Sequence, residues 1–169
     1  MSFIAKKLHG IINRPSKRKT VSDHVSFDNA KSIGLLFTWE DQRTFDELEQ
    51  FISEVRLLKE VNVLCYNPTK EPLSIHYPTF DLSELTGFGK LNSEAANTFV
   101  STPFDFLFHL DFELNEITQS ILSRSKAKCR MGINSEAGKN YYELMIGLNK
   151  SAGLTNFASQ VLKYAKGIK

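Results

Sequence analysis

The sequence predicts an α/β fold: a Rossmann-like, doubly wound and mostly parallel sheet with helices on both faces. Two observations predict it. Short, almost continuously apolar runs of strand length alternate with longer segments whose apolar residues recur every three or four positions. The order strand–helix–strand also occurs twice, and parallel strands that are apolar along their whole length need cover on both faces. The 169 residues suit one hydrophobic core.

The first crossover unit precedes residue 67. Residues 32–37 form an apolar run of strand length, and residues 38–41 supply polar side chains that can cap a helix. An amphipathic helix follows, with apolar residues spaced by three and four positions from Phe45 to Val55. Residues 61–66 form the next strand, and this spacing predicts a right-handed parallel crossover.

The second crossover unit follows residue 103. Residues 104–110 form an apolar strand, residues 115–126 a helix and residues 129–133 another strand. We expect residues 142–146 to add a strand and residues 154–166 to close the chain with a helix.

Residues 67–101 break this rhythm. Pro68, Pro72, Pro78 and the glycine turn at 87–89 predict an irregular insertion. Within it we expect a short strand near residues 74–77 and a short helix over residues 94–100. Long insertions in small domains often carry function.

The charges divide the chain into a leader, residues 1–30, and a single domain, residues 31–169. Six of the 21 Lys and Arg residues lie in the first 20 positions, before the first acidic residue, Asp23. The other 15 basic residues face 19 acidic ones. Such asymmetry indicates that the leader touches a partner that the domain does not. The six cations are Lys6, Lys7, Arg14, Lys17, Arg18 and Lys19.

The leader has three roles open to it. A helix over residues 2–13 would carry an apolar stripe that includes Ile4, Leu8 and Ile11, and Pro15 would end it. Such a helix can dock on the domain, bind RNA or a ribonucleoprotein, or lie on an anionic membrane surface.

Several chemistries are excluded or disfavoured. No apolar run approaches the ~18 residues of a membrane span, and the leader lacks the apolar core of a secretory signal, so we expect a cytoplasmic protein. Cys65 and Cys129 stand alone in buried strands, and the four His residues show no ligand spacing. We therefore expect no metal and no cofactor. The oligomeric state stays open.

The turn around Gly87 resembles a phosphate-binding loop but fails the required spacing. A Walker loop needs a glycine five positions before its Gly-Lys pair and Ser or Thr after it, and this chain has Glu84 and Leu91 there. The dinucleotide fingerprint fails because its third glycine falls on Asn92.

Polar residues follow the predicted strands and form the candidate ligand site. In open parallel sheets, ligands bind in the crevice outside the carboxyl ends of the strands. Caps and turns favour the same residue types, so a structural role remains the alternative. The candidates are Asp41, Asn67, His109, Asp111 and Asn134.

Two family resemblances support the fold. Residues 103–134 resemble the strand–helix–strand of the amino-terminal domain of heptosyltransferases, with Asp111 at the strand end and Gly132 in the next strand. Over its full length the chain is similar to an uncharacterised family of small bacterial α/β proteins, through a KSIGLLF strand, an FGK turn and a PFDFLF strand leading to SKAKCRMGI. These resemblances imply a cytoplasmic bacterial protein of this fold and no activity.

These observations favour a non-enzymatic binding or adaptor module whose basic leader contacts RNA, a ribonucleoprotein or an anionic membrane surface. No nucleophile, base or metal set supports catalysis. The alternative is a small nucleotide- or sugar-nucleotide-binding enzyme with its site at the carboxyl ends of the strands.

Overall fold

The computed structural model describes residues 25–69, 71–86 and 90–169, so the helix predicted over residues 2–13 lies outside the described residues. The described ranges form one sheet, four α-helices and short 3₁₀ turns. The strands are β1 (Ser32–Thr38), β2 (Glu60–Tyr66), β3 (Thr79–Phe80), β4 (Phe106–His109), β5 (Cys129–Ile133) and β6 (Leu144–Ile146). The helices are α1 (Gln42–Arg56), α2 (Glu94–Ser101), α3 (Glu116–Arg124) and α4 (Leu154–Lys166).

The sheet has the order β3-β2-β1-β4-β5-β6, and every pair of neighbouring strands is parallel. Helices α1 and α4 bury their apolar sides against one face, and α2 and α3 cover the other. The predicted fold class is therefore confirmed. The helices run antiparallel to the strands, so their first turns lie at the end of the sheet where the strands finish.

Burial follows the sequence pattern. Residues 33–37 of β1 and all of β4 and β5 are buried. Along β1, Ile33, Leu35 and Phe37 pack on the α1 and α4 side, whereas Leu36 packs on the opposite side. This alternation is the two-residue period of a strand buried on both faces.

The helices begin where polar side chains can bind the first-turn N–H groups. Asp41, Ser93 and Asn115 precede α1, α2 and α3 and accept backbone hydrogen bonds at 2.7, 3.3 and 2.8 Å. Each cap satisfies a donor that has no partner inside the helix.

Residues 67–101, predicted to be an irregular insertion, complete the sheet and its cover. The segment supplies β3 and α2, and α2 confirms the helix predicted over residues 94–100. The strand expected at residues 74–77 lies instead at Thr79–Phe80. Pro78 has no N–H, but its carbonyl accepts the N–H of Cys65 at 3.0 Å, so pairing with β2 begins there and continues to Phe80.

The domain includes residues that the sequence assigned to the leader. Val25, Phe27 and Ala30 are buried in the core beside α1 and α4. The Phe27 N–H donates to the Ile168 carbonyl at 2.9 Å, and its ring lies 5.9 Å from that of Phe106 at the start of β4. The leader therefore joins the domain at the end of the sheet where the strands begin.

Asp105 links three chain segments at the end of the sheet where the strands begin. Its carboxylate accepts hydrogen bonds from the N–H groups of Lys31 and Ser32 and from Lys128 Nζ, at 2.8, 3.2 and 2.7 Å. Partial burial raises the pKa of Asp105, but the bond from Lys128 and those from the two amides outweigh it, so the net pKa lies below its ordinary value.

Asp105→Asn is expected to destabilise the domain by about 1 kcal/mol at neutral pH. Because the pKa is depressed in the folded state, the carboxylate stabilises the fold above its unfolded-state pKa, and this contribution disappears as the pH falls through the folded-state pKa. Urea unfolding of both proteins from neutral to strongly acidic pH measures the difference. A difference that stays constant down to the acid limit would contradict this account.

In the described ranges, every helix is too short or too polar to cross a bilayer.

Candidate functional site

The strand order creates a crevice outside the carboxyl ends of β1 and β4. The chain leaves β1 towards α1 on one face and β4 towards α3 on the other, and open α/β sheets bind ligands at such a switch point. A crevice of about 250 Å³ opens there, beside a second one of about 200 Å³. The two share Thr38, Glu40, Asp111, Phe112 and Lys150.

Asp111 joins the ends of the two central strands beneath this crevice. Its Oδ1 accepts the Thr38 N–H at 2.8 Å, and its Oδ2 accepts the Thr38 hydroxyl at 2.6 Å. Asn115 Nδ2 in turn donates to Thr38 Oγ1 at 3.0 Å. The carboxylate thus holds β1 and β4 in register at the point where their chains diverge.

His109 lies fully buried between Asp111 and Tyr142. Its Nε2 is 2.9 Å from Asp111 Oδ2, and its Nδ1 is 2.5 Å from the Tyr142 hydroxyl. A carboxylate only accepts, so Nε2 carries a proton and donates a hydrogen bond to Asp111, while Nδ1 forms its hydrogen bond with the Tyr142 hydroxyl. Burial, with the charge of Asp111 adding to it, raises the pKa of Tyr142 well above its ordinary value, so the hydroxyl remains a donor.

Two glycines make room for the Tyr142 ring. A Cβ at Gly132 would lie 2.2 Å from Tyr142 Cζ, and one at Gly138 would lie 2.9 Å from Tyr142 Cδ2. Asp111 and Gly132, which the heptosyltransferase resemblance singled out, therefore both contact the network that runs from Tyr142 through His109. That resemblance itself stays a prediction.

The predicted crevice residues separate into two groups. Asp41 and Asp111 line the crevice, and His109 supports it from below. Asn67 is buried and shapes the turn after β2, where its Oδ1 accepts the Thr69 N–H at 3.0 Å. Asn134 is exposed and lines neither crevice.

The charged lining of the crevice is mainly acidic. Glu40, Asp41, Glu47 and Asp111 outnumber Arg43 and Lys150. Arg43 Nε also lies 3.6 Å from Glu47 Oε1, so part of its charge is already matched. This lining disfavours phosphate-bearing ligands.

The N-terminus of α1 is already capped by the carboxylate of Asp41. Dinucleotide-binding folds place a phosphate at the N-terminus of the helix after the first strand, where free N–H groups face the ligand. Here Asp41 Oδ1 accepts the Thr44 N–H at 2.7 Å. The hydrogen bond from the Thr44 backbone lowers the pKa of Asp41, so this carboxylate is negative at neutral pH. It occupies the position that a phosphate would need.

Among the described residues, no group of three or more His, Cys, Asp or Glu side chains could hold a metal ion. Cys65 and Cys129 are buried free thiols. Burial raises the pKa of each to about 12, so neither thiol forms a thiolate at neutral pH.

The predicted polyanion-binding residues cannot be placed in this geometry. Lys6, Lys7, Arg14, Lys17, Arg18 and Lys19 lie outside the described residues.

The sequence matches the Family of unknown function (DUF6913) over residues 2–168. The chain belongs to this family. The match spans leader and domain together, and it confirms the full-length resemblance at the level of a family without an assigned function. No curated protein and no solved structure matches the chain significantly.

Sequence reasoning did not assign Tyr142 or Lys150 to the site. Tyr142 lies 33 residues after His109, and no local spacing connects the two. The available signal was Gly132, because a glycine inside a strand often marks the close approach of another group. Lys150 reaches the crevice from a 3₁₀ turn before α4, which periodicity does not predict.

Proposed function

We propose that this protein is a non-enzymatic binding module whose basic leader contacts a polyanion: RNA, a ribonucleoprotein or an anionic membrane surface. The observation that carries the proposal is the concentration of six cations in the first 20 residues, ahead of a chain in which 15 basic residues face 19 acidic ones. The full-length resemblance supports a cytoplasmic bacterial setting for this module.

The bonding of the crevice supports a binding role over catalysis. Asp111, the most central carboxylate, accepts hydrogen bonds from Thr38 and His109, and these bonds already engage both of its oxygens. A general base needs a free position within hydrogen-bond reach of its substrate. The network therefore serves the joint between β1 and β4.

The enzyme alternative has less support. A nucleotide or sugar nucleotide would bring phosphates to a crevice lined by Glu40, Asp41 and Glu47. The negative carboxylates would repel the negative phosphates and so disfavour binding. Asp41 also caps the first turn of α1, where a phosphate would otherwise bind.

The leader is expected to dominate retention on polyanions. Full-length protein and a version lacking residues 1–20 are sedimented with total RNA and with vesicles containing phosphatidylglycerol, at low and physiological salt. We expect one polyanion to retain the full chain and salt to weaken this retention. On single-stranded RNA, the logarithm of the binding constant should fall linearly with the logarithm of the salt concentration. The slope should approach about 0.7 for each phosphate neutralised.

A charge-matched control separates the leader from net charge alone. Reversal of Lys17, Arg18 and Lys19 to Glu should reproduce the deletion, whereas reversal of Lys90, Lys139 and Lys150 in the domain should have little effect. If neither RNA nor vesicles retain the full chain at low salt, the leader has no polyanion partner of these kinds and the proposal fails.

A further inference from the structure

Helix C-termini gather at one end of this fold. Because α1, α3 and α4 run against the strands, their last turns lie where the strands begin. We call this surface the amino edge and define it by seven lysines, two arginines and three apolar side chains. The lysines are Lys31, Lys59, Lys126, Lys128, Lys163, Lys166 and Lys169, the arginines are Arg56 and Arg124, and the apolar side chains are Leu57, Leu58 and Tyr164.

Named contacts bring these distant lysines to one surface. Lys31 and Lys128 meet at Asp105, through the Lys31 N–H at 2.8 Å and Lys128 Nζ at 2.7 Å. Lys59 Nζ lies 4.9 Å from the centre of the Phe27 ring. The Phe27 N–H binds the carbonyl of Ile168, just beyond α4. Four parts of the chain that carry these lysines therefore lie at the same end of the sheet.

Acidic side chains are fewer at this edge. They are Asp28, Glu54, Glu60 and Asp105, against seven lysines and two arginines. The Asp105 carboxylate is also occupied by its three donors. The amino edge is thus positive, whereas the crevice at the opposite end of the sheet is mainly acidic.

Large apolar side chains protrude among these lysines. Leu57 is 87% exposed, Leu58 47% and Tyr164 53%. In the described ranges only one other large apolar side chain, Leu82, is comparably exposed, and it follows β3 at the opposite end of the sheet. The concentration at one edge distinguishes these side chains from scattered exposed leucines, which need no explanation.

The leader joins the domain at the same edge. Val25 and Phe27, near the end of the leader and the first buried residues of the described ranges, lie beside the start of β4 and the end of α4. The leader sequence combines the same side-chain types, with Ile4 and Leu8 among lysines. The leader sequence and the amino edge therefore carry the same side-chain chemistry.

The side chains favour a lipid surface over RNA. RNA-binding proteins use Arg forks on phosphates and aromatic stacking on bases. Seven of the nine cations in the amino edge are lysines, and its two arginines already contact other side chains, Arg56 the Tyr77 ring at 5.2 Å and Arg124 the Asn97 Oδ1 at 2.7 Å. Exposed leucines contribute little to phosphate recognition. Lysines around protruding aliphatic and aromatic side chains suit the interface of an anionic bilayer.

We propose that the amino edge is a membrane-contact surface for anionic lipid. Leu57, Leu58 and Tyr164 enter the interfacial layer, and the surrounding lysines lie against the headgroups. This inference rests on the proposed function and names an anionic bilayer as the polyanion.

The test uses the full-length chain with its leader intact. Partitioning is measured on vesicles of phosphatidylcholine with phosphatidylglycerol and on vesicles of phosphatidylcholine alone. Lys163→Glu with Lys166→Glu is expected to weaken partitioning on the anionic vesicles by at least about fivefold for each lysine reversed. Leu57→Ser is expected to weaken it by about tenfold.

Matched variants at the opposite end of the sheet serve as controls. Lys90→Glu with Lys139→Glu makes the same charge change, and Leu82→Ser makes the same side-chain change, so both should partition like the parent. Thermal unfolding of every variant verifies the fold. On the unaltered chain, anionic vesicles should slow amide hydrogen exchange over residues 57–59 and 167–169 and leave residues 82–84 unchanged.

The outcomes separate this inference from the proposed function. If the edge variants partition more weakly, the control variants partition like the parent and exchange slows at the amino edge, the inference and the proposed function are both supported. Partitioning that the edge variants leave unchanged means that the leader binds without the domain, and the inference fails while the proposed function stands. If RNA retains the chain and vesicles do not, the inference likewise fails while the proposed function stands. Retention by neither overturns both.

Discussion

Glu143→Ala is expected to lower the free energy of unfolding by about 3 to 5 kcal/mol, because it breaks a buried ion pair by removing one partner. The side chain of Arg130 is 6% exposed and that of Glu143 2%. Arg130 Nη2 lies 2.5 Å from Glu143 Oε1, and Nε lies 3.0 Å from Oε2. The same carboxylate accepts the backbone N–H of Arg130 at 2.6 Å.

The ion pair lies where β5 meets β6, so the substitution also removes a hydrogen bond to the backbone. The carbonyl of Arg130 accepts the N–H of Glu143 at 2.9 Å. Without the carboxylate, the guanidinium would stay buried and lose the charge that neutralises it, and the Arg130 N–H would lose its acceptor. Urea unfolding followed by circular dichroism measures the change.

Two further variants test the cause. Glu136→Ala removes an exposed ion pair, Lys139 Nζ to Glu136 Oε2 at 2.7 Å with Glu136 87% exposed, and should cost about 0.5 kcal/mol or less. Arg130→Met with Glu143→Leu should recover most of the lost stability, since apolar pairs can replace buried ion pairs. Equal losses for Glu143→Ala and Glu136→Ala would contradict this account.

Gly132→Ala is expected to destabilise the domain by about 3 kcal/mol or more, because the added methyl group overpacks a buried ring and displaces a hydrogen bond. Its Cβ would lie 2.2 Å from Tyr142 Cζ, and Tyr142 is only 1% exposed. The ring can yield only by leaving His109 Nδ1, which it now meets at 2.5 Å. Nδ1 of the buried imidazole would then lose its hydrogen-bond partner.

Gly147→Ala is the matched control. A Cβ at Gly147 would meet nothing within 4 Å, and its φ is not in the left-handed region, so the same substitution should be neutral or slightly stabilising. Thermal unfolding compares the two variants. If Gly132→Ala unfolds like the parent, Tyr142 has room to move and the network is not fixed by packing.

The main elements of the fold follow from the sequence because their signals are local. The apolar runs that became β1, β2, β4 and β5 and the spacing of Phe45, Leu48 and Ile52 on α1 each lie within one segment. Strand β3 was misplaced since its pairing starts from the carbonyl of Pro78, a contact with β2 that local pattern does not reveal. Glu143 shortens β6 at its start, since its side chain takes the Arg130 N–H.

The candidate site was less predictable because its contacts span the sequence. Asp41 and Asp111 could be placed from the rule that strand ends converge, and both line the crevice. The same rule included Asn67 and Asn134, which serve a local turn and an exposed loop. Tyr142 enters through long-range packing, and the sequence could not show that Asp111 is engaged by Thr38 and His109.

Retention of the full-length chain on anionic vesicles at low salt, compared with a chain lacking residues 1–20, tests the central claim most directly. We expect the full chain to sediment with phosphatidylglycerol vesicles, to stay in the supernatant with phosphatidylcholine alone, and to be released as salt approaches physiological strength. Removal of the leader should reduce retention strongly and leave a weaker, salt-sensitive part contributed by the amino edge. A full chain that stays in the supernatant with both anionic vesicles and RNA at low salt would contradict the account.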